Sequence, residues 1–166
     1  FIAGQGAAQF AAPGAEDRLR DQEREAASED PLVLAATDPA NPYGAALKWP
    51  DTTDEASRPQ RSAGARVILH EGRLLAHLNK GATRLTTFLP AEEPERTTCR
   101  NALLKALAGA ATASQPIYLQ VIDGVPAHGS PLAANLTETG FVSLRDGYVH
   151  RGEDHKSPGE RRASAR

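Results

Sequence analysis

Short apolar runs separated by glycine-containing turns dominate the middle of the chain. Arg66–His70 and Arg73–Leu78 flank Glu71-Gly72, and Arg84–Leu89 follows the turn Asn79–Ala82. Runs of this length around such turns are a strong signal for β-hairpins. The pattern therefore predicts a three-stranded antiparallel meander.

Helical spacing of apolar residues occurs after the meander. Leu103, Leu104 and Leu107 fall on one side of a helix, and the acidic segment Glu92–Glu95 suits its positive N-terminal end. A second, short helix is expected after Ser130, which would cap it with Pro131 at the first helical position.

The remaining apolar runs predict further strands, and together the elements predict an α+β fold. We expect a mostly antiparallel, barrel-like sheet of hairpins that carries two helices. These further strands are Leu32–Leu34, an unbroken strand Ile117–Ile122 before the turn Asp123-Gly124, and a hairpin of Phe141–Leu144 with Tyr148-Val149 across Asp146-Gly147.

The segment Thr37–Pro50 cannot be helical, because it holds three prolines and a glycine. Its large apolar side chains are Tyr43, Leu47 and Trp49. One interpretation is an ordered loop that these three side chains anchor to a core. The other is a loop that presents Tyr43 or Trp49 for stacking on a nucleic-acid base.

Charge does not announce a nucleic-acid partner, because the formal net charge is −2. Any such site must be local. Basic side chains on a sheet could hold phosphates, although a merely solvated face would have the same composition. The candidates for nucleic-acid binding, all around the predicted meander, are Arg58, Arg61, Arg66, Arg73, Lys80 and Arg84.

Several kinds of site are disfavoured. Cys99 is the single cysteine and no histidines have zinc-site spacing, so no metal site is predicted. His70 and His77 are expected to face each other across neighbouring strands. No phosphate-binding loop or other catalytic motif is found, so no catalytic residue is assigned. Without a signal peptide or a membrane-length apolar run, we expect a cytoplasmic protein.

Four segments carry a resemblance to a known family. Between Asp30 and Arg151 the chain resembles the C-terminal end of the large helicase-related (Lhr) proteins, which are superfamily 2 ATP-dependent DNA helicases. The segments occur in the same order and at similar spacing. They are Gly4–Pro13, Thr37–Pro50, Arg58–Pro90, and Ile122–Ala133 with Gly140-Phe141.

The resemblance implies a terminal barrel-like module that follows winged-helix domains. On this basis residues 1–29 are expected to be the end of an upstream module and a connector, 30–151 the terminal domain, and 152–166 a disordered tail. The chain begins with Phe1 and lacks methionine, so we expect an internal or C-terminal piece of a longer protein. A processed N-terminus is the competing explanation.

The resemblance also implies a parent helicase that uses ATP and magnesium in DNA repair, with no cofactor in this chain. Its expected partners are single-stranded or forked DNA, the upstream helicase and winged-helix domains, and a further copy in a homo-oligomer, but no membrane. Three functions follow: an accessory domain for DNA contact or assembly, part of a DNA glycosylase, or a structural cap. The glycosylase candidates are Asp123, Gln5 and Gln9.

Overall fold

The fold was analysed in a computed structural model, which describes residues 12–24, 30–52 and 58–152. Its helices are Ala15–Arg24 (α1), Glu95–Ala110 (α2) and Ala133–Glu138 (α3), with a 3-10 turn at Ala127–Gly129. Its strands are Leu32–Ala35 (β1), Arg66–His70 (β2), Arg73–Leu78 (β3), Arg84–Thr87 (β4), Ile117–Leu119 (β5), Val121–Ile122 (β6), Val125–Pro126 (β7), Val142–Leu144 (β8) and Gly147–His150 (β9).

The strands form two sheets. One has the order β1-β2-β3-β4-β6-β7, and the other has the order β5-β9-β8. All pairs are antiparallel except β4 with β6. The predicted meander and the predicted α+β class with a mostly antiparallel sheet and two helices after Asp30 are confirmed. No closed barrel is found among the described residues.

The predicted single strand Ile117–Ile122 is wrong, because it divides at Gln120. Its first half, β5, pairs with β9, whereas its second half, β6, pairs with β4 and β7. The amides of Gln120 and Val121 both donate to the carbonyl of Thr83, at 2.9 and 3.2 Å. Two successive amides that point to one acceptor break the alternation of a regular strand, and the chain changes sheets there.

The meander is buried on both faces. One face packs on the leucines of α2, and Ile68, Leu75 and Leu78 contribute to this main core. A register shift between Ile68 and Leu69 makes Leu75 the extra residue of a β-bulge. The other face lies under the loop that follows β1. Its smaller core consists of Ala36, Ala65, Val67, Leu69 and Leu74.

The ends of the helices follow the acidic and small residues predicted for them, with one shift. The carboxylate of Glu93 accepts a hydrogen bond from the amide of Thr97 at 3.0 Å, and this bond lowers the pKa of Glu93. α3 begins at Ala133 and not at Pro131, because the hydroxyl of Ser130 accepts from the amide of Leu132 in a preceding turn.

The predicted ends of the domain are described only in part. Helix α1 lies in the predicted connector. Residues 1–11, 25–29 and 153–166, which include most of the predicted disordered tail, lie outside the described residues. In the described part of the chain, no helix combines the length and apolarity needed to cross a membrane.

Candidate nucleic-acid interface

Arg61 holds the loop that covers the smaller core. Its guanidinium donates to the carbonyl oxygens of Asn41 at 2.7 Å and of Thr37, Asp38 and Tyr43 at 3.2 Å each. A planar fork with several donors suits such a set of acceptors. Although Arg61 was predicted to bind nucleic acid, these bonds direct its charge into the protein's own backbone.

The aromatic side chains of the same loop also pack inward. The hydroxyl of Tyr43 accepts from the amide of Leu74 at 3.3 Å, and its ring stacks with Trp49 at a centroid distance of 6.3 Å. Gly44 has φ +73°, and a Cβ there would lie 2.4 Å from the indole nitrogen of Trp49. These contacts favour the interpretation that the loop is anchored to a core over the interpretation that it presents a stacking platform.

The two histidines of the meander do not face each other, so that prediction is wrong. His77 pairs with Val67 and His70 with Arg73, because the β-bulge and strand offset set the register. His77 is buried in edge contact with Trp49, and its Nε2 lies 3.2 Å from the carbonyl oxygen of Gln60. Burial lowers the pKa of His77 despite the opposing effect of that backbone contact.

The meander has two electrostatically different ends. At one end Arg73 forms an ion pair with Glu95 at 2.7 Å. At the other end Arg66 donates to the carbonyl oxygen of Ala110 at 3.4 Å, a favourable place for a cation because it is the C-terminus of α2. Helix α2 therefore runs in the same direction as β3, from the first end to the second. Strand β2 separates the two ends by roughly 13 Å.

Of the six basic candidates, three lie together at the Arg66 end. Arg66 is opposite Leu78 on β3, Lys80 follows in the next turn, and Arg84 begins β4. Lys80 and Arg84 are exposed. We call Arg66, Lys80 and Arg84 the basic end. The opposite end holds Arg73 together with a group of acidic residues: Glu71, Glu92, Glu93, Glu95 and Asp123.

Arg58 does not belong to the basic end by any contact of the described residues. It is exposed at the start of the last described range, which continues through Arg61 into β2. The six candidates thus divide into three residues at the basic end, one loop anchor, one ion-paired residue and one isolated exposed residue.

A groove of about 440 Å³ opens beside the basic end. Among the described residues that line it, none is acidic or aromatic, and Arg66 is the basic one. The stem of Lys80 packs on Gly64 at its rim, 3.1 Å from the position of a Cβ. The lining residues are Val33, Leu34, Ala35, Gly64, Ala65, Arg66, Gly81, Ala82, Gln115 and Pro116.

Asp123, a predicted glycosylase candidate, connects two strands. Its Oδ1 accepts from the amide of Thr87 at 2.6 Å, and its Oδ2 accepts from the hydroxyl of Thr87 at 2.7 Å. These bonds join the β6–β7 turn to the end of β4. They account for a carboxylate at this place without a catalytic role. Gln5 and Gln9, the other candidates, lie outside the described residues.

A polar cluster that sequence reasoning missed lies at the β8–β9 turn. The carboxylate of Asp146 accepts from the hydroxyl of Tyr118 and from the amide group of Gln120, the latter at 3.0 Å. The bonds from Tyr118 and then Gln120 lower the pKa of Asp146, so the carboxylate stays ionised and is a poor base. Asp146-Gly147 was read only as turn residues, and its partners are too distant in sequence to give a signal.

The described residues contain no metal-binding group. No three histidine, cysteine or acidic side chains among them are arranged to hold an ion. Cys99 is buried, and burial raises the pKa of its thiol. Neither metal chemistry nor an activated thiol is indicated in this part of the chain.

Two curated proteins are similar to the chain. It is 51% identical over 92 residues to a protein of Mycolicibacterium smegmatis named "Lhr helicase/ probable uracil glycosylase", covering 53% of this chain and 6% of that protein. It is 33% identical over 153 residues to the Escherichia coli "Lhr helicase/uracil glycosylase", covering 89% of this chain and 10% of that protein. No family model matches the chain. The chain thus spans a tenth or less of these relatives.

Proposed function

Because this chain is a relative of the Lhr helicases over 89% of its length, we propose that it is a C-terminal accessory module of an Lhr-type DNA helicase and contacts DNA through its basic end. The resemblance to the Lhr family predicted from the sequence is confirmed. The role of the module and its place in the parent protein belong to the proposal.

The separation of charge along the meander is the observation that carries this proposal. Arg66, Lys80 and Arg84 lie at one end, whereas the acidic residues near Arg73 lie at the other. A strand of DNA is attracted to the first end and repelled from the second. Local basic clusters can bind phosphates even when the whole chain has a small negative charge.

The module assists a motor that lies elsewhere in the parent. ATP and magnesium would act in that motor, because this chain has no phosphate-binding loop. The module would hold single-stranded or forked DNA during repair in the cytoplasm, beside the upstream helicase and winged-helix domains. In the alternative form of this proposal, the same module contributes to assembly of the parent, including a homo-oligomer.

Anisotropy of a labelled oligothymidylate across a salt series tests the DNA contact. We expect binding by the full chain that weakens steeply with salt. The double variant Lys80→Gln with Arg84→Gln should bind more weakly and reduce the slope of log K against log salt by about two, roughly one for each lost phosphate contact.

The matched control changes the same charge at the other end of the meander. Arg73→Gln with Arg96→Gln removes two exposed cations near the start of α2, and we expect it to bind like the unchanged chain. No binding at low salt by a chain with a folded far-UV spectrum would refute DNA contact. It would leave the assembly role or the structural cap.

Part of a DNA glycosylase is the second candidate function, and the printed names of both relatives favour it. Such an enzyme needs a pocket for a flipped base and a group that positions water. Asp123 is already bonded through both oxygens to Thr87. Release of uracil from a single-stranded oligonucleotide by the purified chain, detected as an alkali-labile site, would establish this activity, and no release would exclude it for the chain alone.

A further inference from the structure

We propose that the groove beside the basic end binds the sugar-phosphate backbone of a single nucleic-acid strand without reading its bases. This inference rests on the proposed DNA contact and adds the binding site and the part of DNA that it recognises. Its observations are the polarity, the size and the lining of the groove.

The groove combines positive charge with an absence of opposing charge. Arg66 lies in its lining, and Lys80 extends along Gly64 at its rim. The guanidinium of Arg66 has five donors, of which one contacts the carbonyl of Ala110 at a long distance of 3.4 Å. Gln115 adds an exposed amide. Since none of the described lining residues is acidic, an anion entering the groove meets donors and no carboxylate.

The size of the groove selects a single strand. Its volume of about 440 Å³ lies within the range of about 300–1,000 Å³ that is usual for ligand sites. A duplex is far wider, since its major groove alone measures about 12 Å across. One strand can place a short length of sugar and phosphate in the groove.

The lining selects backbone over bases. Proteins that hold single strands by their bases use aromatic platforms, and none of the described lining residues is aromatic. Tyr43 and Trp49, the aromatic residues considered from the sequence, pack on the smaller core. The groove walls instead include Gly64, Gly81 and alanines, and no described atom lies within 4 Å of a Cβ built on Gly81. A sugar-phosphate chain can therefore approach the protein backbone closely.

An extended peptide is the competing occupant, because β1 forms an edge of the six-stranded sheet and also lines the groove. A peptide would gain main-chain hydrogen bonds along β1 and would need no phosphates. The charge of the lining favours the nucleic-acid strand. The two occupants differ in whether inorganic pyrophosphate competes and in whether salt weakens binding.

The test places one negative charge in the groove. Gln115→Glu keeps the size of an exposed side chain, and we expect it to weaken binding of a labelled oligothymidylate roughly fivefold to tenfold at low salt. Asn101→Asp makes the same change on an exposed position of α2, roughly 13 Å along the helix from Ala110, and should leave binding unchanged.

A second arm asks which part of the strand is bound. An abasic oligonucleotide with the same number of phosphates should bind the full chain as tightly as oligothymidylate does, and pyrophosphate should compete with both. Loss of binding on removal of the bases would overturn the inference, as would equal binding by the Gln115→Glu and Asn101→Asp variants.

The outcomes also separate this inference from the proposed function. If the Lys80→Gln and Arg84→Gln double variant weakens binding while Gln115→Glu does not, DNA contact stands and the groove is excluded. If the folded chain binds no strand at low salt, the proposed function fails and the inference fails with it. Binding that resists both salt and pyrophosphate would point to the peptide occupant and overturn the nucleic-acid one.

Discussion

Arg61 determines whether the long loop keeps its place over the smaller core. Its guanidinium reaches four carbonyl oxygens, which an ammonium group cannot match in geometry. We expect Arg61→Lys to lower the free energy of unfolding by about 1–3 kcal/mol. Urea unfolding followed by the fluorescence of Trp49, the single tryptophan, measures the effect in the same loop.

Arg58→Lys is the matched control, since Arg58 is exposed and lies three residues earlier in the chain. It should unfold at the same urea concentration as the unchanged chain. If the Arg61→Lys and Arg58→Lys variants had equal midpoints, the four backbone contacts of Arg61 would not matter for stability.

His77 should make the stability depend on pH. Burial lowers its pKa in the folded chain, so below the ordinary histidine pKa the unfolded chain binds more protons. The stability from neutral His77 is therefore complete above an ordinary pKa of about 6.5 and is lost as pH falls below it.

Thermal unfolding between neutral and mildly acidic pH tests the effect of His77. The variant His77→Gln retains an amide donor toward Gln60 but cannot titrate, and its stability should fall less over this pH range. Parallel curves for the two proteins would show that another group causes the pH dependence.

The roles of single arginines could not be predicted from the sequence. Arg61 and Arg66 are both basic residues near the first strand of the meander, and composition treats them alike. Only the folded loop brings four carbonyls around Arg61, while the end of α2 brings one to Arg66. These partners lie up to 44 residues away, so no local pattern could reveal them.

Among the elements, the β6–β7 turn depends on one side-chain connection to β4. Asp123 accepts two hydrogen bonds from Thr87, and its φ is +49°. In a double-mutant cycle of Asp123→Asn with Thr87→Val, we expect a coupling energy of about 1 kcal/mol, because each single change already breaks the side-chain bond. Additive effects in urea unfolding would contradict this connection.

The elements that the sequence predicted well have local signals. Glycine turns marked the meander, and the turn Asp146-Gly147 marked the last hairpin. The division at Gln120 has no such signal, because the residues on both sides are equally apolar and buried side chains occur in both sheets. The start of α3 was displaced because Ser130 bonds within a turn and not to the first turn of the helix.

At the scale of the whole molecule, the division between a basic and an acidic end is a property of topology. The net charge of −2 gives no hint of it. It arises because α2 runs parallel to β3, which brings Glu95 to Arg73 and leaves Arg66 at the opposite end. The direction of the helix depends on long-range packing of its leucines, so the candidate groove became visible only in three dimensions.

The change of sheet at Gln120 makes the two sheets inseparable. Strands β5 and β6 are joined by that one residue, so β5 cannot leave β9 without pulling on β6 and thus on β4. A truncation before β8 would remove both strands that accompany β5 and uncover Ile117 and Leu119, which are fully buried. The smallest unit that can be transplanted between proteins therefore runs from β1 through β9, and a cut inside it yields two fragments that each expose core.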